Sequence, residues 1–237
     1  MSDQPNPNIP THPVRFRHPL SHLAEQVYAN GPIKIVAIGS STTAGEGGVV
    51  AYPYRLEEAL RATYQGRMVD VLNRGKGGDE ARTELARLET DVLREKPALV
   101  IWQVGTNAVW KDCDLDDTAA AIREGLELLQ DKGMDIVLMD LQYAPALLTD
   151  GKIKAAHRMV SLIADAAGTA TAPVNVFRRF DLMRKWHELE KISFDRMIDP
   201  TDGDRLHHSD WSACHVAQAL CHAIADGVVL AKQVPRA

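Results

Sequence analysis

The 237-residue chain is 45% hydrophobic and 25% charged, with a formal net charge of −5 and a pI near 6.0. That composition describes an ordinary globular protein and offers no basic surface for a polyanion, so nucleic acid is not an expected partner. No apolar run approaches the roughly 18 residues of a membrane span.

The first twenty residues contain five prolines and little apolar pattern, which predicts an extended, loosely held arm. They also lack the apolar stretch of a signal peptide. The sequence as it stands therefore reads as cytoplasmic, or as periplasmic or secreted if a leader has been removed. Ser21 is placed to cap a short helix over 22–29, which Asn30-Gly31-Pro32 then ends. Residues 1–31 thus read as an arm, and 32–237 as the folded domain, whose core starts at Ile33.

Ile33–Gly39 (IKIVAIG) is apolar without period-2 alternation and predicts a strand buried on both faces. Similar runs follow at Met68–Leu72, Ala98–Val104, Asp135–Leu141 and Pro173–Phe177. Helical spacing occupies Pro53–Tyr64, Glu80–Glu95, Asp116–Asp131, Ile153–Ala167 and Trp211–Ala225. This alternation predicts a parallel five-stranded sheet covered on both faces, with ligands bound beyond the carboxyl ends of the strands.

The loops at that edge carry the chemistry. The first strand runs into Gly39-Ser40-Ser41-Thr42-Thr43-Ala44-Gly45-Glu46-Gly47. A phosphate loop fails there, because the second glycine comes one residue late and Glu46 stands where lysine is needed. After the second strand comes Asn73-Arg74-Gly75-Lys76-Gly77-Gly78-Asp79, whose glycines allow close backbone approach. After the third comes Gly105-Thr106-Asn107-Ala108. Near the C-terminus, Asp204-Arg205-Leu206-His207 precedes a helix. A carboxylate three residues before a histidine can hold one ring nitrogen and leave the other as a general base.

Taken together and in this order, the four blocks resemble those of the SGNH hydrolases, also called the GDSL esterase/lipase family. The resemblance spans about residues 33–226. GSSTTAG stands where that family has GDSLTxG and implies Ser41 as nucleophile, with Ser40 replacing the family's aspartate. NRGKGGD and GTNA imply Gly78 and Asn107 as oxyanion donors beside the Ser41 amide. DRLH implies Asp204 and His207 as the remaining triad members. In the GTNA block, Ala108 replaces an aspartate. The resemblance further implies a three-layer α/β/α sandwich, flavodoxin-like in strand order, that needs no metal or organic cofactor.

The activity so implied is a serine esterase for small or short acyl groups, including acetyl groups on carbohydrates, with a small-molecule ester as partner. A thioesterase, lysophospholipase or acyltransferase would use the same triad. Oligomeric state stays open. Trp110, Gln142 and Tyr143 lie after strands at the active edge and are candidates for substrate contact or for ordinary packing. Cys113, Cys214 and Cys221 are an odd, sparse set that predicts reduced thiols. Cys214, His215, Cys221 and His222 do not form a zinc site. On one helix, residues seven apart are separated by about 10.5 Å, too far to share one ion.

Overall fold

A computed structural model describes residues 14–29 and 31–233; the first thirteen residues of the expected arm lie outside them. The five apolar runs form five strands: β1 (Ile33–Gly39), β2 (Val69–Gly75), β3 (Leu99–Gln103), β4 (Asp135–Met139) and β5 (Val174–Phe177). All pairings are parallel, in the flavodoxin-like order β2-β1-β3-β4-β5. Every residue of β3 and β4 is buried, which is why these strands read as unbroken apolar runs. The order reverses at β1: the chain leaves it towards β2 and then returns to β3. The loops after β1 and β3 therefore part in opposite directions and open a crevice at their carboxyl ends.

Helices close both faces. Tyr52–Thr63 packs against Asp210–Gln233, and Leu115–Leu129 against Ile153–Thr169. Asp114 caps Leu115–Leu129 by accepting from the amides of Asp116 and Asp117. The last helix runs eight residues past its expected end at Ala225. Over an 18-residue window its mean hydropathy is 1.4, so by length and composition it is apolar enough to cross a bilayer. Half of that window is buried in the protein, where the helix packs on Tyr52–Thr63 and Ser21–Tyr28. The helix Arg179–Glu188, which the sequence pattern did not reveal, buries Phe180, Leu182, Met183 and Trp186.

Three expectations need correction. The described part of the arm is docked rather than loose: Phe16 and Leu20 are buried, and the Leu20 amide donates to the Gly227 carbonyl at 3.0 Å. The His18 backbone exchanges two hydrogen bonds with the Asn175 side chain. Ser21 is not a cap but the first residue of the helix Ser21–Tyr28, whose start lacks a local side-chain cap. The Asp135 carboxylate, from the start of β4, instead accepts from the amides of His22 and Leu23, so the helix is capped from across the fold. Finally, the helix expected over Glu80–Glu95 is broken into Ala81–Ala86, Leu88–Asp91 and a 3-10 turn at Leu93–Glu95.

Candidate active site

β1 ends at Gly39, and Ser41–Ala44 immediately forms one helical turn. A side chain at Gly39 would strike Thr43 Oγ1 and Gln103, so glycine is what lets the turn close over β3. The two adjacent serines are separated by geometry. Gln103 Oε1 accepts from the Ser40 amide (3.1 Å), from Ser40 Oγ (3.2 Å) and from Thr43 Oγ1 (3.1 Å), which turns Ser40 into the sheet. Ser41 Oγ lies 3.0 Å from His207 Nε2. Gln103, the last residue of β3, was not singled out from the sequence; a polar residue ending an otherwise apolar strand was the available signal.

The carboxylate behind the histidine differs from the expected one. Asp202 Oδ2, not Asp204, lies 3.0 Å from His207 Nδ1. The same oxygen accepts from the backbone amides of Leu206 (2.8 Å) and His207 (2.7 Å), and Asp202 Oδ1 accepts from the amide of Asp204 (3.2 Å). Arg205 adopts φ 56°, and this left-handed residue folds the chain back so that the carboxylate five positions upstream reaches the ring. Asp204 is exposed. Burial alone would raise the Asp202 carboxyl. The amides and the imidazole outweigh that effect and hold it below the usual aspartate range. The histidine loop is pinned from outside as well, with the Asp199 amide donating to the His207 carbonyl and the Ser209 amide to that of Met197.

Gly78 and Asn107 lie at the same edge. Gly78 has φ 76°, in the left-handed region that favours glycine. Asn107 is buried, and its Nδ2 donates to the Asp79 carbonyl at 2.8 Å. One amide hydrogen is thus used in tying the asparagine to the glycine loop, and among the described residues the second has no acceptor. Lys111 Nζ donates to the Gly78 carbonyl (2.7 Å) and to Glu80 Oε1 (2.8 Å). Arg87 grips the loop from below, pairing with Asp79 and Asp91 and donating to the carbonyls of Arg74 and Gly39. Lys111 and Arg87 are positioning residues that sequence reasoning missed, since basic residues just past the ends of helices carry no local signature.

Beneath this loop Glu84 is fully buried, accepting from Trp102 Nε1 at 2.8 Å. Burial pushes its carboxyl up to about 8. The folded protein therefore keeps a proton that the unfolded chain, with glutamate near 4.3, has lost. Stability must fall as pH rises through that window and level off above the folded value. Glu84→Gln keeps an acceptor for Trp102 and removes the titration. Urea unfolding from pH 5 to 8 should show the variant gaining on the parent by up to ~1 kcal/mol per pH unit. A constant difference would mean that Glu84 ionises normally.

Of the three residues considered for substrate contact, Gln142 is corrected outright. It has no exposed surface, and its Oε1 accepts from Thr106 Oγ1 (2.9 Å) and from the buried Arg179 (2.8 Å). Its Nε2 donates to the Leu206 carbonyl at 3.3 Å, so it supports the histidine loop from within. Tyr143 packs edge-on to Phe180 and donates to Glu188. The Trp110 carbonyl accepts from Lys152. The shallow cleft beside the serine has Ser41, Glu46, Val49, Ala51, His207 and Ala213 in its wall, and neither aromatic is part of it. On the last helix, His215 stacks on Trp211 and Cys221 is buried beside Thr63.

The sequence of an acetylxylan esterase from Geobacillus stearothermophilus is 36% identical over 96 residues, covering 35% of this chain; the chain spans 42% of the length of that relative. Among solved structures, a catalytic mutant of the acetylxylan esterase Axe2 from the same organism superimposes with a TM-score of 0.67 at 23% identity. It covers 81% of this chain and 94% of its own. LAE5, an alpha/beta hydrolase enzyme from the metagenome of Lake Arreo, Spain, gives 0.68 at 18% identity, covering 83% and 98%. At these identities the structures establish the fold. The profile of the Non-GDSL lipase-like family matches residues 7–230, nearly the whole chain, and the protein belongs to that family.

Proposed function

We propose that this protein is a serine esterase of SGNH type that removes short acyl groups, acetyl above all, from hydroxyls of a carbohydrate. The observation that carries the reading is the line Ser41 Oγ, His207 and Asp202, with 3.0 Å at each step. The acetylxylan esterase relative supports the carbohydrate acetyl substrate, and the small side chains of Val49, Ala51 and Ala213 in the cleft wall suit a two-carbon acyl group.

In this mechanism His207 Nε2 takes the Ser41 proton as Oγ bonds to the ester carbonyl carbon. Asp202 fixes the imidazole tautomer and stabilises the imidazolium. The amides of Ser41 and Gly78 and the side chain of Asn107 hold the oxyanion. As the intermediate collapses, the C–O bond to the sugar breaks and His207 returns the proton to the departing oxygen. Water then adds to the acyl-Ser41 carbonyl, giving up a proton to His207. The second collapse releases the carboxylic acid and restores Ser41.

Activity on acetylated oligosaccharides, set against acyl-CoA and nitrophenyl esters from acetyl to palmitoyl, tests the substrate class. Preference for palmitoyl esters or acyl-CoA would overturn it. Asn107→Ala tests the oxyanion assignment. A donor that strengthens in the transition state should cost about 10²–10³ in kcat with little change in KM. Because Asn107 also anchors the Asp79 carbonyl, some loss of stability accompanies it. A lowered urea midpoint with kcat within threefold of the parent would leave Asn107 as an anchor alone.

A further inference from the structure

The mechanism leaves one charged group in the cleft unused. Glu46 shares the wall with Ser41 and His207, and its backbone amide donates to the Ser41 carbonyl at 3.3 Å. Its carboxylate presses on the glycine loop so closely that a side chain at Gly77 would coincide with it. Among the described residues, no hydrogen bond or ion pair engages that carboxylate, and Glu46 is exposed. The residues around it, Gly45, Gly47 and Gly48, all have positive φ (87°, 86° and 78°). Glu46 is thus the one side chain on a pliant glycine turn, held between the serine and the oxyanion loop.

An unpaired carboxylate against the glycine loop, on a residue in the wall beside Ser41, is a two-oxygen acceptor at the edge of the site. It repels a nearby anion and accepts from hydroxyls, and its two oxygens can serve two adjacent hydroxyls at once. Cationic alcohols would also be attracted, but the cleft wall contains no Trp, Tyr or Phe to offer a quaternary ammonium an aromatic face. We propose that Glu46 recognises the leaving group, accepting hydrogen bonds from free hydroxyls beside the acylated oxygen of a neutral carbohydrate and disfavouring anionic alcohols. This rests on the esterase reading above and names the part of its substrate that the triad does not touch.

The test compares kcat/KM of the parent, Glu46→Gln and Glu46→Ala on an acetylated neutral oligosaccharide, an acetylated oligosaccharide bearing a uronic acid, 4-nitrophenyl acetate and acetylcholine. Loss of hydrogen bonds to a charged acceptor should lower the ratio of neutral-sugar to nitrophenyl activity by about tenfold or more in Glu46→Ala. The uronic acid substrate should gain relative to the neutral one in both variants. An unchanged ratio, or a larger loss on acetylcholine than on the sugar, would overturn the inference. Should the parent hydrolyse nitrophenyl acetate and not acetylated sugars, the carbohydrate reading itself falls, an outcome distinct from an unchanged ratio.

Discussion

Ser41→Ala should lower ester turnover by about 10⁶-fold, whereas Ser40→Ala should leave most of it. The two hydroxyls are one residue apart and differ in what they face. Ser41 Oγ meets His207, and without it no acyl-enzyme can form; loss of the triad serine in a related chemistry has about that cost. Ser40 Oγ donates to Gln103, whose Oε1 retains two other donors when Ser40 is truncated. That change should cost about 0.5–1.5 kcal/mol of stability. Hydrolysis of 4-nitrophenyl acetate gives the rates. A fluorophosphonate label located by peptide mass spectrometry identifies the reacting oxygen, and an adduct on Ser40 would reverse the assignment.

The second large effect separates two aspartates that sequence spacing confuses. Asp202→Asn should reduce kcat by about 10⁴, the loss seen where an amide replaces the triad carboxylate and the imidazole takes the wrong tautomer. Asp204→Asn should stay within a few-fold of the parent, because that exposed side chain does not reach the ring. Asparagine at 202 keeps a carbonyl oxygen for the amides of Leu206 and His207, so the turn should survive; circular dichroism and a thermal midpoint would verify this. The opposite ranking, with Asp204→Asn the disabled variant, would mean that the loop rearranges when substrate binds.

The confusion over the aspartates shows where sequence reasoning stops. The alternation of buried strands and amphipathic helices, the turn after β1, and the histidine before the last helix were all legible because they depend on local pattern. The partner of His207 was not, since Arg205 adopts a left-handed conformation that glycine would have advertised and arginine does not. The break in the segment 80–95 was equally silent. No proline or glycine interrupts it, and the chain bends where Arg87 reaches back to Asp79, Arg74 and Gly39, so tertiary contacts override a sound helical pattern. Gln142 was correctly placed at the active edge, but its burial follows from Arg179, on a helix the pattern did not reveal.

The docking of residues 16–23 also divides the molecule's tasks. Asp135 opens β4 and Asn175 lies near the start of β5, so the segment fastens the amino ends of two strands while Ser41 and His207 lie at the opposite rim. Leu20 sits against Gly227 with no room for a side chain there, which makes this seam a latch that closes only when the final helix is in place. Thermal robustness could therefore be tuned at the latch, by repacking Phe16 or Leu20, while the reacting groups keep their spacing. An evolving lineage has the same freedom, since this end can drift with temperature while the other follows the substrate.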